Sequence, residues 1–277
     1  MMRKSADIAA SEGSPPTDQR AAAFECVDVS VRLGAGASSR LVIDGLSFSV
    51  DRGEFVTLVG ASGIGKTTIL RTLGGLQGTE PPSRISLNGE PVTGPSRGVV
   101  IVFQDYLSSL LPWRTVEKNV RLGIEGKVAK TEYADRVQTA LGLVGLADRG
   151  GDYPAHLSGG MQQRVQIARA LAMEPDVLLM DEPFGALDAM TKSQLQDQLQ
   201  KLHDEMNMTI VFVTHDIEEA IYLSDRVLVL GGPPARVTES LAIDLPRPRE
   251  QLVTKEMPGY LKYRHHLYEA IGHGQQH

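Results

Sequence analysis

Eight consecutive residues constrain this chain more than anything else in it: Gly60, Ala61, Ser62, Gly63, Ile64, Gly65, Lys66 and Thr67. They follow a largely apolar run, Phe55–Val59. They precede a stretch whose spacing predicts a helix from about Lys66 to Leu73. Glycines at the first, fourth and sixth places let the backbone curl around an anion, and the helix start adds partial positive charge. Such a strand–loop–helix unit suits a nucleoside triphosphate, with Lys66 at the β- and γ-phosphates and the Thr67 hydroxyl on Mg²⁺. Thr68 carries the loop into the helix. An incidental glycine-rich turn is the plain alternative, and the strand before it and the helix after it speak against that.

The rest of the chain alternates strand and helix. Strands are predicted at 24–33, 41–50, 54–59, 99–103, 177–180, 209–213 and 226–230, and helices at 190–206, 217–223 and 258–271. An amphipathic stretch covers 131–146. This alternation predicts an α/β fold with a mostly parallel sheet. The strand at 177–180 runs into Asp181 and Glu182, placing one carboxylate to hold Mg²⁺ and a second to polarise a water. A strand-end acid that merely caps the next turn is the other possibility.

Charge and composition narrow the function. Lys and Arg number 28 against 34 Asp and Glu, a net charge of -6, which argues against non-specific nucleic-acid binding. No apolar run approaches the roughly 18–20 residues of a spanning helix. Asp7 and Glu12 interrupt any signal-peptide core. The single Cys26 fits a reducing compartment. Residues 1–20 are polar, small and proline-broken, and are expected to be a disordered leader.

A third motif, Leu157-Ser158-Gly159-Gly160-Met161-Gln162-Gln163-Arg164, stands about one helix and one turn before Asp181. Gln104 follows the strand at 99–103, Gly185-Ala186-Leu187-Asp188 follows the two carboxylates, and Thr214-His215 follows the strand at 209–213. Ser158 and its glycines open a helix with unpaired N–H groups, a second anion site besides that at Lys66. An ordinary N-cap would look the same. In this order and spacing the motifs resemble the ATP-binding cassette of ABC transporters over residues 24–245.

The resemblance implies a P-loop NTPase with a RecA-like core sheet, an antiparallel β subdomain and an inserted α-helical subdomain. It places the ATPase domain at 21–246, the helical insertion at about 105–173 and a short helical tail at 247–277. It implies ATP and Mg²⁺, the metal held by Thr67, Asp181 and Gln104. Glu182 resembles the catalytic base, His215 the residue that meets the γ-phosphate, and Gln104 the one that couples metal to membrane partners. Ser158, Gly159 and Gly160 would face the γ-phosphate bound by an opposing copy, with Asp188 organising that contact. Two departures stand out. Leu33 aligns where many cassettes stack an aromatic ring on adenine, unless it simply faces the core, and Ile64 is bulkier than the residue usual in the loop.

One cassette without a spanning segment implies two separate permease subunits and a periplasmic or extracellular solute-binding protein, at the cytoplasmic face of the cell membrane. Residues 110–120 are similar to the surface where importers receive a coupling helix, although Trp113 could instead be a buried anchor. Residues 231–249 look like the C-terminal signature of the nitrate, sulfonate and taurine importers. Iron–sulfur assembly ATPases, single cassettes without a permease, are the alternative. His265, His266, His273 and His277 in the tail lack the acidic or cysteine company of a metal site and are expected to be solvated.

Overall fold

The computed structural model describes residues 21–105 and 108–273, so the expected leader and His277 lie outside the described residues. Two long antiparallel strands, β1 (Ala22–Leu33) and β2 (Arg40–Asp51), lead into β3 (Phe55–Val59) and α1 (Lys66–Leu73). The short β4 (Arg84–Leu87) and β5 (Glu90–Pro91) return to β1, closing a four-stranded antiparallel sheet in the order β2-β1-β4-β5. After β6 (Val99–Val102) come three mutually packed helices, α2 (Val116–Arg121), α3 (Tyr133–Leu143) and α4 (Gly159–Leu171). The chain continues through β7 (Val177–Asp181), α5 (Ala189–Met206), β8 (Thr209–Thr214), α6 (Ile217–Leu223), β9 (Arg226–Gly231) and β10 (Arg236–Ala242). It finishes with α7 (Gln251–Glu256) and α8 (Pro258–His273).

The second sheet has the order β10-β9-β3-β8-β7-β6 and is parallel except at β10. Every residue of β3, β7 and β8 is buried. Continuous Val, Leu, Ile and Phe without alternation are what strands covered on both faces require. Ile210 and Phe212 of β8 pack into one apolar cluster with α4, α5 and α6. Val211 and Val213 point the other way, into a second cluster with α1 and the antiparallel sheet. This double cover keeps the strand ends rigid.

Level strand ends place the site. Val59 pairs with Thr214, Asp181 with Val213, and Val102 with Met180. The segments after β3, β6, β7 and β8 therefore leave the sheet on one edge, where α/β sheets hold ligands.

The structure adds strands that pattern alone did not yield. β10 alternates exposed and half-buried residues and is held as an edge by pairing with β9 rather than by burial. β4 and β5 are likewise too short and exposed to carry a periodic signal. The amphipathic stretch expected at 131–146 is helical only as α3. Gly145 has φ +67°, and the Leu146 N–H turns back to the Leu141 carbonyl, which ends the helix.

A charged knot fastens the tail to the core. Asp225 Oδ2 accepts from the Phe55 N–H at 2.9 Å, Arg247 Nη2 donates to Oδ1 at 2.7 Å, and His203 Nε2 lies 3.4 Å away. Burial alone would raise this carboxyl, but His203, Arg247 and the Phe55 N–H together hold it well below the usual carboxylate range. Its folded pKa lies below the unfolded value of about 3.9, so its contribution is complete above that pH and fades as pH falls further. Asp225→Asn is expected to lose about 1–2 kcal/mol at pH 7, discounted for partial exposure, and the gap to wild type should shrink by pH 3. Urea unfolding of both proteins at the two pH values measures this, and a gap that is constant or wider at pH 3 contradicts it.

Candidate functional site

The loop after β3 closes around its own lysine. Lys66 is buried, and its Nζ donates to the carbonyls of Gly60 at 2.7 Å and Ala61 at 3.0 Å. Burial lowers the ammonium pKa, against the pull of the Glu182 and Asp181 carboxylates. Gly65, the N-cap of α1, has φ +121° and no side-chain cap, and a Cβ there would stand 3.1 Å from Val42 Cγ1. Only glycine allows that approach, and it leaves the first N–H groups of α1 open to an anion. Ser62, Gly63, Ile64, Gly65, Lys66, Thr67 and Thr68 line a cleft of about 660 Å³. Ile64 is also part of the apolar cluster beneath the loop, so its bulk is absorbed by the core.

Across the cleft stand the ends of the other strands. Gln104 Nε2 donates to Glu182 Oε2 at 3.3 Å, and His215 Nδ1 lies 3.2 Å from Glu182 Oε1. The Glu182 carboxylate is thus bracketed by one group on each oxygen. Its backbone sits at φ +45°, unusual for a side-chain-bearing residue and frequent where a site over-determines a conformation. Asp181 is almost fully buried beside Thr67. Burial pushes its carboxyl up, and the hydrogen bond from the Thr67 hydroxyl opposes that. Hydroxyl, carboxylate and amide oxygens at Thr67, Asp181 and Gln104 form a hard donor set, which suits Mg²⁺ completed by phosphate oxygens. Among the described residues, no three His, Cys, Asp or Glu side chains converge on a metal site.

Leu33 stands at the mouth of the same cleft, 37% exposed, together with Gly34, Ser38, Arg40, Val42 and Pro233. It does not face the core. Trp113, 72% exposed, is not the buried anchor that its bulk allowed.

Ser158, Gly159, Gly160 and Asp188 lie outside this cleft. Ser158 caps α4, its Oγ accepting from the Met161 N–H at 3.3 Å, and Asp188 caps α5 by accepting from the Thr191 N–H at 3.0 Å. Hydrogen bonding from Thr191 holds the Asp188 carboxyl below its usual range. The two starts are adjacent, because a Cβ on Gly160 would meet the Ala186 carbonyl at 3.2 Å. Gln163, buried in α4, accepts from the Ala186 N–H at 3.2 Å and donates to the Glu182 carbonyl at 3.5 Å. One side chain therefore ties the Ser158 helix to both the carboxylate strand and the turn before Asp188.

A second tie escaped the sequence reading. Lys192 on α5 reaches Asp216 Oδ2 and Glu219 Oε1, each at 2.6 Å, while the Thr214 hydroxyl donates to Glu219 Oε2 at 2.5 Å. These groups flank His215. Burial works against the Lys192 charge, but hydrogen bonds to Asp216 and Glu219 outweigh it and raise the ammonium pKa. For Glu219 burial prevails, and its carboxyl is pushed up. No sequence pattern announces a lysine 24 residues before the aspartate that it pairs with.

The tail histidines have more acidic company than expected: His265 lies 3.1 Å from Glu269, and His266 lies 2.5 Å from Glu239. The side chain of His273 is outside the described part. No described helix is long and apolar enough to cross a membrane.

Residues 43–185 match the ABC transporter family. The nitrate import ATP-binding protein NrtC of Synechococcus elongatus is 44% identical over 241 residues, covering 85% of this chain and 36% of NrtC. NrtD of the same organism, also a nitrate import ATP-binding protein, is 39% identical over 259 residues, 90% of this chain and 92% of NrtD. The chain thus spans about a third of NrtC and nearly all of NrtD. The solved dimer of the ATP-binding cassette MJ0796, a post-hydrolysis state bound to ADP and Pi, is similar with a TM-score of 0.72. It is 29% identical, with 79% of this chain and 98% of that one covered.

Proposed function

This chain belongs to the ABC transporter family and is an ATPase, and on that premise we propose that it powers an importer for a small anion or organosulfur compound, of the nitrate, sulfonate or taurine type. Two copies would sandwich two ATP head to tail beneath two permease subunits, with a solute-binding protein on the far side of the membrane. One observation carries the reading. Lys66, Gln104, Asp181, Glu182 and His215 meet at the ends of parallel strands, while the second anion-binding helix start at Ser158 opens elsewhere. Such halves become whole only across two copies. The nitrate relatives support the solute class.

In this mechanism the triphosphate lies on the N–H groups of residues 62–68, with Lys66 leaving its loop carbonyls for the β- and γ-oxygens. Thr67, Asp181 and Gln104 would hold Mg²⁺, whose chemistry is neutralisation of phosphate charge. Glu182 accepts a proton from water as the water oxygen attacks the γ-phosphorus. The β–γ bridging oxygen departs with ADP, and His215 orients the γ-phosphate. Ser158, Gly159 and Gly160 of the other copy supply N–H groups to the same γ-oxygens, with Asp188 at the seam. Residues 21–246 form this ATPase domain, with the helices of 105–173 and the exposed Trp113 facing the permease. The position at the cytoplasmic membrane face follows from that docking.

Deletion of the gene from its native cells tests the reading. Uptake of at least one of nitrate, sulfonate and taurine is expected to fall to background, restored by the wild-type chain and not by Lys66→Ala. Unchanged uptake of all three would overturn the importer assignment.

A further inference from the structure

The cleft contains a cation that the motif reading passed over. Arg40 opens β2 and is the direct cross-strand partner of Leu33, the last residue of β1. Directly opposed residues of an antiparallel pair project from one face with Cβ atoms about 4.5–5.5 Å apart. The Leu33 side chain and the Arg40 stem therefore stand side by side, and both line the cleft. Two residues further along β2, Val42 touches the Gly65 position of the phosphate loop. At about 3.3 Å per residue, Arg40 sits roughly 6–7 Å beyond that contact, on the side of the β1–β2 connection.

Three features make this the place for a base. Gly34 and Ser38 of the connection and Pro233 complete a wall with Leu33 that is mostly apolar. Among the described lining residues none is Phe, Tyr or Trp, and the one imidazole, His215, is engaged with Glu182. The exposed Arg40 guanidinium makes no hydrogen bond or ion pair among the described residues. Lys66, by contrast, is seated on loop carbonyls. A planar, weakly hydrated cation beside an aliphatic floor is a stacking surface for an aromatic base.

We propose that Arg40, supported by Leu33, holds the base of the nucleotide by stacking its guanidinium on the ring face, in place of an aromatic side chain. The proposal rests on the nucleotide reading above and specifies its base subsite. It separates base recognition, at the β1–β2 end, from phosphate recognition, at α1.

Isothermal titration of the full chain with ATP and with tripolyphosphate, which has no base, separates the two. In Arg40→Ala the ATP dissociation constant is expected to rise about five- to thirtyfold, with tripolyphosphate affinity unchanged within about twofold. Arg40→Tyr, which restores a stacking plane without charge, should bind ATP within about threefold of wild type. Lys66→Ala should weaken both ligands. Equal losses of ATP and tripolyphosphate in Arg40→Ala would make Arg40 a phosphate ligand and overturn the proposal. No loss of ATP affinity would overturn it as well, and so would an Arg40→Tyr protein as weak as Arg40→Ala. Failure of the wild-type chain to bind ATP would instead overturn the nucleotide reading itself.

Discussion

Glu182→Gln is expected to hydrolyse ATP about 10²–10⁴-fold more slowly than wild type while binding it within about threefold. That span is the usual contribution of a positioned general base. Glu182 presents its two oxygens to Gln104 Nε2 and His215 Nδ1, so glutamine fills the same space but cannot accept a proton from water. The backbone at φ +45° and the Glu182 N–H on the Val213 carbonyl stay as they are, so the fold should be unaffected. Steady-state phosphate release, paired with a binding titration, gives both numbers. Turnover within tenfold of wild type would remove Glu182 from the chemistry.

Ser158→Arg should abolish ATP-dependent dimers and leave ATP binding to the single chain intact. Ser158 is exposed at the start of α4 and outside the cleft of its own copy, so arginine there does not disturb Lys66. Across the seam, however, it drives a long side chain into the space between Ser158 and the nucleotide of the other copy. The arginine overfills the seam where Ser158 would meet the γ-phosphate; overpacking costs about 1–3 kcal/mol at each of the two equivalent places, and each 1.4 kcal/mol is tenfold, so dimer affinity should fall by roughly a hundredfold. Losing the cap on the Met161 N–H costs the monomer only about 1 kcal/mol, visible as a small drop in melting temperature. Normal ATP-driven dimerisation of Ser158→Arg would refute the head-to-tail arrangement.

What could be seen from sequence divides along physical lines. The buried parallel strands announced themselves, because β3, β7 and β8 must be apolar on both faces and end in residues chosen for chemistry. Helix α1 was found to its limits, since the glycine loop fixes its start. β10 was missed because an edge strand owes its existence to a partner's hydrogen bonds, not to its own pattern. The motif residues that line the cleft stand out in the sequence, because residue type and spacing mark them there. Lys192 and Arg40 do not, and Gln163 stands in a motif without its contacts being visible. Each gains its place from a contact 19 to 24 residues distant or from a cross-strand register, as in Lys192 with Asp216, Gln163 with Glu182, and Arg40 with Leu33. Spacing along the chain carries no trace of such contacts.

The claim that two copies complete each site is tested most directly by the mass of Glu182→Gln in solution. Multi-angle light scattering without nucleotide should give one chain of 30.0 kDa. With saturating ATP and Mg²⁺ it should give twice that mass, and Ser158→Arg introduced into the same protein should return it to a single chain. A Glu182→Gln protein that binds ATP yet keeps the mass of one chain would contradict the account.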